Sequence, residues 1–228
     1  MRPPLRFFSL LLAAGACADD VPVEVPVGPL TFAVDVSSIN VPAPLRQNGS
    51  VARVPCSAAS ACPAAAPLTL RCVAGACDPA PVVIELGVMD PIDLGAWSSV
   101  FSTVASNVSQ ITVSRAQWQA AAMGLRAPVG PVELYWGPES ATGAAADGVR
   151  HLGTVPAIAF DALGNAAGEV GLDAAGNAAL SDHLLRASRR FRVFARAAVD
   201  LAPGAPLPAG RASIQLRLTV RAETRLLR

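Results

Sequence analysis

Four cysteines, Cys56, Cys62, Cys72 and Cys77, stand in the pattern C-x5-C-x9-C-x4-C. Thiolates in fours can hold zinc, but zinc sites usually include a pair two residues apart. No such pair occurs here, so the set reads as two disulfides, and no metal centre is expected. Four cysteines allow three pairings, and spacing alone does not choose among them. Val54 and Cys56 share one face of an extended stretch, while Leu68, Leu70 and Cys72 share a face of another. If those stretches meet, Cys56 pairs with Cys72 and Cys62 with Cys77. The product is a stapled excursion over 56–77, projecting from the main body and suited to recognition or to bracing a poorly packed segment.

Little else is equipped for catalysis. The chain has two histidines, and His183 follows Asp182 directly, so on a helix the two point to different sides and His183 is solvated. There is no Gly-x-Ser-x-Gly elbow and no His-Glu-x-x-His pair, and no two carboxylates are marked for acid–base work. Asp90-Pro-Ile-Asp93 and the Asp-x-x-Gly-Asn segments carry too few oxygen ligands for a calcium loop. The sequence therefore predicts no catalytic residues and no cofactor, and a protein that is not an enzyme.

Arginine supplies all 18 basic charges, which with abundant Ala, Pro and Gly reads as the codon usage of a GC-rich genome. Residues 17–185 carry 6 arginines against 15 acids, and residues 186–228 carry 10 against 2. Arg192, Arg196, Arg217 and Arg221 would lie on one outer sheet face if the last two strands pair. A row of guanidiniums there can grip sulfate, phosphate or uronate groups. Two plainer readings compete. A chain without lysine must solvate its sheets with arginine, and the acidic first part can fold against the basic last part, with Asp35 or Glu85 opposite an arginine. The near-neutral total argues against nucleic acid as a partner. Trp97, Trp118 and Trp136 offer rings for sugar stacking, although Trp136 shares a face with Leu134 and reads as core.

The fifth cysteine, Cys17, has no partner within this set. It follows Arg2 and Arg6, an uncharged run from Phe7 to Ala16, and the small residues Ala14-Gly15-Ala16. Ten residues cannot span a bilayer as a helix, which takes about 20, so the segment reads as an export signal. Its ending resembles the lipobox of bacterial lipoproteins, with Ala14 where leucine is usual. That resemblance covers the first twenty residues and implies that Cys17 becomes the lipid-modified start of the mature chain. It further implies a membrane partner through that lipid, and Ala18 after the cysteine favours the outer membrane, on a side left open. An exported location is oxidising and permits the two disulfides.

These groups need elements to hold them. Val and Pro alternate over 18–30, which reads as an extended tether or an edge strand. From Thr31 the period is two, with Phe32, Val34 and Val36 on one side. Similar alternation recurs at Val82–Val88, Ile111–Val113, Val132–Trp136 and Val155–Phe160. It is clearest at Phe191–Asp200 and Ser213–Glu223, where nine apolar positions face inward, and the Pro/Gly link between them suggests a hairpin. Ala96–Ala105 and Ala178–Ala187 have helical spacing. Asp161-Ala-Leu-Gly-Asn-Ala-Ala and Asp173-Ala-Ala-Gly-Asn-Ala-Ala read as two turns flanking a strand at Glu169–Leu172. Together these predict an all-β, antiparallel two-sheet sandwich, Ig-like or jelly-roll-like, with one or two short helices. Its expected layout is a signal over 1–16, a lipidated cysteine and tether over 17–30, and one domain over 31–228. The function expected is a non-enzymatic envelope lipoprotein, structural or recognising a protein or glycan. The alternative is a module binding a soluble ligand or anionic polysaccharide on the arginine face.

Overall fold

Strict alternation of apolar and polar residues buries one side of the chain only when the chain is extended. The computed structural model describes residues 21–58, 61–88, 90–97, 108–126, 129–159 and 164–224, and it is an all-β sandwich. One sheet runs in the order β1 (Val21–Asp35), β14 (Arg211–Thr224), β8 (Val108–Met123), β11 (Asn165–Glu169). The second runs β12 (Gly171–Leu172), β10 (Arg150–Val155), β9 (Val129–Pro138), β13 (Arg190–Val199), β6 (Val82–Val88), with β7 (Ile92–Asp93) also on β13. All these pairings are antiparallel. Between the sheets lies one continuous core, with Phe32, Phe191, Leu134, Leu152, Ile214 and Leu216 wholly buried.

The inward phase of the last two strands is as the alternation requires. Phe191, Val193, Ala195, Ala197, Val199, Ile214, Leu216, Leu218 and Val220 are all buried. Their pairing is not as expected. β13 sits between β9 and β6, whereas β14 sits between β1 and β8, so the two strands belong to opposite sheets. Alternation says which face is apolar and says nothing of which strand lies alongside. The Pro/Gly segment 200–210 carries the chain across the sandwich rather than around a tight turn. Phe194 also breaks the pattern, because it points outward and is still buried, beneath a loop that sets Ala141 and Ala144 over it.

The Val/Pro stretch is an edge strand from Val21, ten residues before the domain was expected to begin. Val25, Val27 and Leu30 join the core. Pro22 and Pro26 lie on the exposed face of this edge strand, the position in a sheet where proline, lacking an N–H, is tolerated. The register jumps between Val27 and Leu30. Gly28 takes φ +119° there, and a Cβ on it would meet the Leu216 carbonyl oxygen at 2.7 Å.

Helix α1 covers Leu94–Trp97, and the rest of the stretch to Ala105 lies outside the described residues, as does Phe160. Helix α2 spans Ala174–Arg186, starting before the predicted Ala178. The second Asp-x-x-Gly-Asn segment is therefore not a turn but a helix start. Asp173 accepts the Gly176 N–H at 2.6 Å, the same local bond that would have closed a turn. Nor is there a strand over Glu169–Leu172, since β11 ends at Glu169 and β12 begins at Gly171 in the other sheet.

Two small hairpins complete the fold: β2 (Arg46–Gln47) with β3 (Ser50–Val51), and β4 (Leu70–Val73) with β5 (Ala76–Pro79). The second is stapled by Cys56–Cys72 and Cys62–Cys77, with Cα separations of 5.9 and 5.6 Å. It is not a free knob. Cys77 and Ala65 are buried, and Val54, Leu68 and Leu70 pack on the main core. Among the described residues, one group of three metal-type ligand atoms lies within 4.8 Å of one another, and these are disulfide sulfurs of Cys56, Cys62 and Cys77.

Candidate functional site

Because β13 and β14 lie in different sheets, the four arginines do not form a row. Arg192 and Arg196 project from the outer face of the six-stranded sheet, Arg217 and Arg221 from that of the four-stranded sheet. Most are also spoken for. Arg196 donates to Glu85 at 2.8 and 2.6 Å from its cross-strand neighbour position. Arg192 donates to the Glu139 carbonyl at 2.7 Å, and Arg221 approaches Glu223 at 3.3 Å. Elsewhere Arg211 meets Asp35 at 2.9 Å and Arg115 meets Glu169 at 2.5 Å. Arg196–Glu85 and Arg211–Asp35 join the acidic part to the basic part, whereas Arg115–Glu169 and Arg221–Glu223 each lie within one part. The hydroxyl of Ser37, and then the Arg211 guanidinium, hold the Asp35 carboxyl below its ordinary range against a raising effect of desolvation. Of the four arginines, Arg217 alone makes neither hydrogen bond nor ion pair among the described residues.

Arg217 stands in an open groove of about 400 Å³ on the outer face of the four-stranded sheet. Register fixes its neighbours. Arg217, Gln117 and Glu169 form one row across β14, β8 and β11, and Gln215, Gln119 and Ala167 form the next. The inward residues between them, Leu216 and Trp118, are core, so the alternation that buries one set holds the other out. Ala167 and Gly168 leave the β11 flank of the groove low. The side chains of Gln117, Gln119 and Gln215 make no hydrogen bond among the described residues.

The opposite face holds a cluster that the sequence did not disclose. Glu133 Oε2 lies 2.5 Å from His151 Nε2 and accepts from the Thr154 hydroxyl at 2.9 Å. The Tyr135 ring meets His151 edge-on, and the Arg196 guanidinium sits 5.6 Å from the Tyr135 centroid. His151 and Thr154 are three apart, which strict alternation places on opposite faces. A register shift between His151 and Gly153 brings both outward. The composition resembles a hydroxyl–imidazole–carboxylate relay, but the geometry does not. Thr154 and Glu133 both address Nε2, at 3.4 and 2.5 Å, whereas a relay needs them on different ring nitrogens.

The remaining candidates have structural work. His183 is half-buried, not solvated; its Nε2 lies 3.1 Å from the Arg190 carbonyl oxygen and its ring packs on Trp136. Trp136 and Trp118 are buried in the core and present no stacking surface, and the Trp97 side chain lies outside what is described. Among the described residues, Asp90-Pro-Ile-Asp93 gathers no further ligands; Asp93 accepts the Gly95 N–H at 2.9 Å.

No family model matches the chain, and no curated protein matches it. Among solved structures, a chain of Desmodium yellow mottle tymovirus is 10% identical with a TM-score of 0.29, covering 100% of this chain and 94% of its own. A chain of turnip yellow mosaic virus is also 10% identical, with a TM-score of 0.25, covering 99% and 93%. Overlap this poor carries no argument about fold or function.

Proposed function

We propose that this chain is a non-enzymatic lipoprotein of the bacterial cell envelope, anchored through lipid on Cys17, that recognises a protein or glycan partner. The observation that best supports recognition is the contrast on the outer faces: ion pairs close most charges, while one groove keeps a free arginine and three uncommitted amides. The earlier alternative, an anion site built from four arginines, does not survive their separation onto opposite faces. The Glu133–His151–Thr154 geometry favours a non-catalytic role, since it offers no route for relaying a proton to a nucleophile.

The edge strand modifies how an anchored domain would sit. Only Ala18, Asp19 and Asp20 stand between Cys17 and Val21, so the reach is at most roughly 14 Å. The domain would lie against the membrane surface rather than being held off it by a long tether. Ala18 favours the outer membrane by the same lipoprotein resemblance. Fractionation of cells expressing Cys17→Ser tests the proposal. The variant should leave the membrane fraction or remain unprocessed, and should take up no labelled palmitate. Membrane association and mobility identical to the wild type would refute the anchor.

A further inference from the structure

We infer that the groove beside Arg217 binds a carboxylated glycan, a uronate-bearing polysaccharide, with Arg217 holding the carboxylate and Gln117, Gln119 and Gln215 the hydroxyls. The inference rests on the recognition reading above and names its ligand. Three properties of the groove lead to it.

The first is hydrogen-bond type. A glutamine amide donates from nitrogen and accepts at oxygen, and a sugar hydroxyl does both, so amides match hydroxyls whichever way each is turned. Three such amides without internal partners on one face leave a surface whose polar groups only water or a ligand can satisfy.

The second is charge. Two charged residues line the groove, Glu169 and Arg217; Glu169 is neutralised by Arg115 at 2.5 Å, which leaves Arg217 uncompensated. One guanidinium fork fits the two oxygens of one planar carboxylate. Densely sulfated or phosphorylated chains would demand several cations in a line, and here the neighbours of Arg217 are amides.

The third is shape. Strands about 4.8 Å apart, with same-face residues about 6.7 Å apart along each, make a shallow lattice rather than an enclosed pocket. Such a surface suits an extended polymer bound through several sugars. Protein interfaces favour exposed aromatic and large aliphatic anchors. The exposed large apolar residues Val73, Val83, Met123 and Leu185 all lie outside the groove. The one aromatic ring lining the groove, Trp118, is only 7% exposed and offers little face to a sugar, so each site is weak, and a polymer with repeated carboxylates gains by multivalency.

Affinity electrophoresis of the purified mature chain through gels containing polygalacturonate tests this, with amylose and dextran sulfate gels as the neutral and sulfated arms. Polygalacturonate should retard the protein, amylose should not, and dextran sulfate should retard it less than polygalacturonate. Arg217→Gln should weaken the polygalacturonate interaction at least tenfold, Gln119→Ala several-fold, and Arg192→Gln not at all, with unchanged thermal melts confirming intact folds. Three outcomes would overturn the inference: no retardation by polygalacturonate, retardation that survives Arg217→Gln, or stronger retardation by dextran sulfate that Arg192→Gln reduces as much as Arg217→Gln. Anchoring is read separately. An anchored chain that ignores polygalacturonate leaves the envelope reading intact and removes this one.

Discussion

Replacing Gly176 with alanine separates what helix propensity expects from what the packing dictates. Gly176 lies in the first turn of α2, and alanine is the better helix former by about 0.8–1 kcal/mol, so propensity alone predicts a gain. The structure predicts a loss. A Cβ at Gly176 would lie 1.6 Å from the His151 carbonyl oxygen on β10, a backbone atom that cannot rotate away. The helix would have to retreat by roughly 1.5 Å or more to restore ordinary contact. Three attachments resist that retreat. The buried Trp136 indole donates to the Gly176 carbonyl at 2.9 Å, Asn177 bridges the N–H and C=O of Val113 at 3.0 and 2.9 Å, and Asp173 caps the turn. Stranding the indole N–H costs about 1–3 kcal/mol, and forcing a methyl group into a packed site costs about 1–3 kcal/mol. After the propensity gain of about 0.8–1 kcal/mol, a net loss of about 1–5 kcal/mol is expected, a large share of a total of about 5–15 kcal/mol. Urea denaturation should show a lower midpoint with an unchanged slope. Ala178→Gly, on the exposed side of the same helix, should cost only about 1 kcal/mol. A Gly176→Ala protein as stable as the wild type would mean that α2 is not seated on β10 by this residue.

Leu216 is 1% exposed, and Leu216→Asp should abolish folding by burying an unpaired charge, whereas Arg217→Asp should cost under about 1 kcal/mol; thermal melts run together test this, and the reverse order would mean a register shifted by one residue. Asp35 has a lowered pKa, so its contribution is present above about pH 4, where the unfolded carboxyl is charged, and is lost as the pH falls through its folded value. Melting temperatures of Asp35→Asn and wild type should therefore differ near neutrality and converge in acid; a gap independent of pH would contradict the assignment. Ala74 holds φ +49° before Gly75 at +77°, the backbone that Asn48-Gly49 adopts in the other hairpin, and Ala74→Asn should stabilise the protein by about 0.5–1 kcal/mol in a thermal melt. A lower melting temperature would argue against that turn.

The sequence disclosed faces well and neighbours poorly. Inward residues of β13 and β14 were legible because period two leaves one buried side, and the salt-bridge partners Asp35 and Glu85 were legible because an acidic half needs a basic one. Strand order was not, since Val220 carries no mark that distinguishes Val25 from Val193 as its neighbour. The Asp173 segment misled for a local reason: an aspartate that binds an N–H three residues on begins a turn and a helix alike. The Glu133–His151 contact depends on a one-residue irregularity in β10, which alternation cannot anticipate. The groove was half visible, in Arg217. Its glutamines became informative only when register placed Gln215 beside Gln119.

The first strand pairs with the last. Val21 lies opposite Thr224 and Asp35 opposite Arg211, and among the described residues β14 is the only strand paired with β1. Until β14 exists, Val25, Val27, Leu30, Phe32 and Val34 have no strand beside them. At synthesis rates of about 5–20 residues per second, the wait lasts on the order of ten to forty seconds. Contacts this distant in sequence also slow the folding search once the chain is complete. Connectivity itself thus delays the native in-sheet pairing of β1 until β14 has been made. A chain whose first strand must wait for its last therefore builds its two sheets out of step: every strand of the second sheet is made by Val199, before the partner of β1 is available.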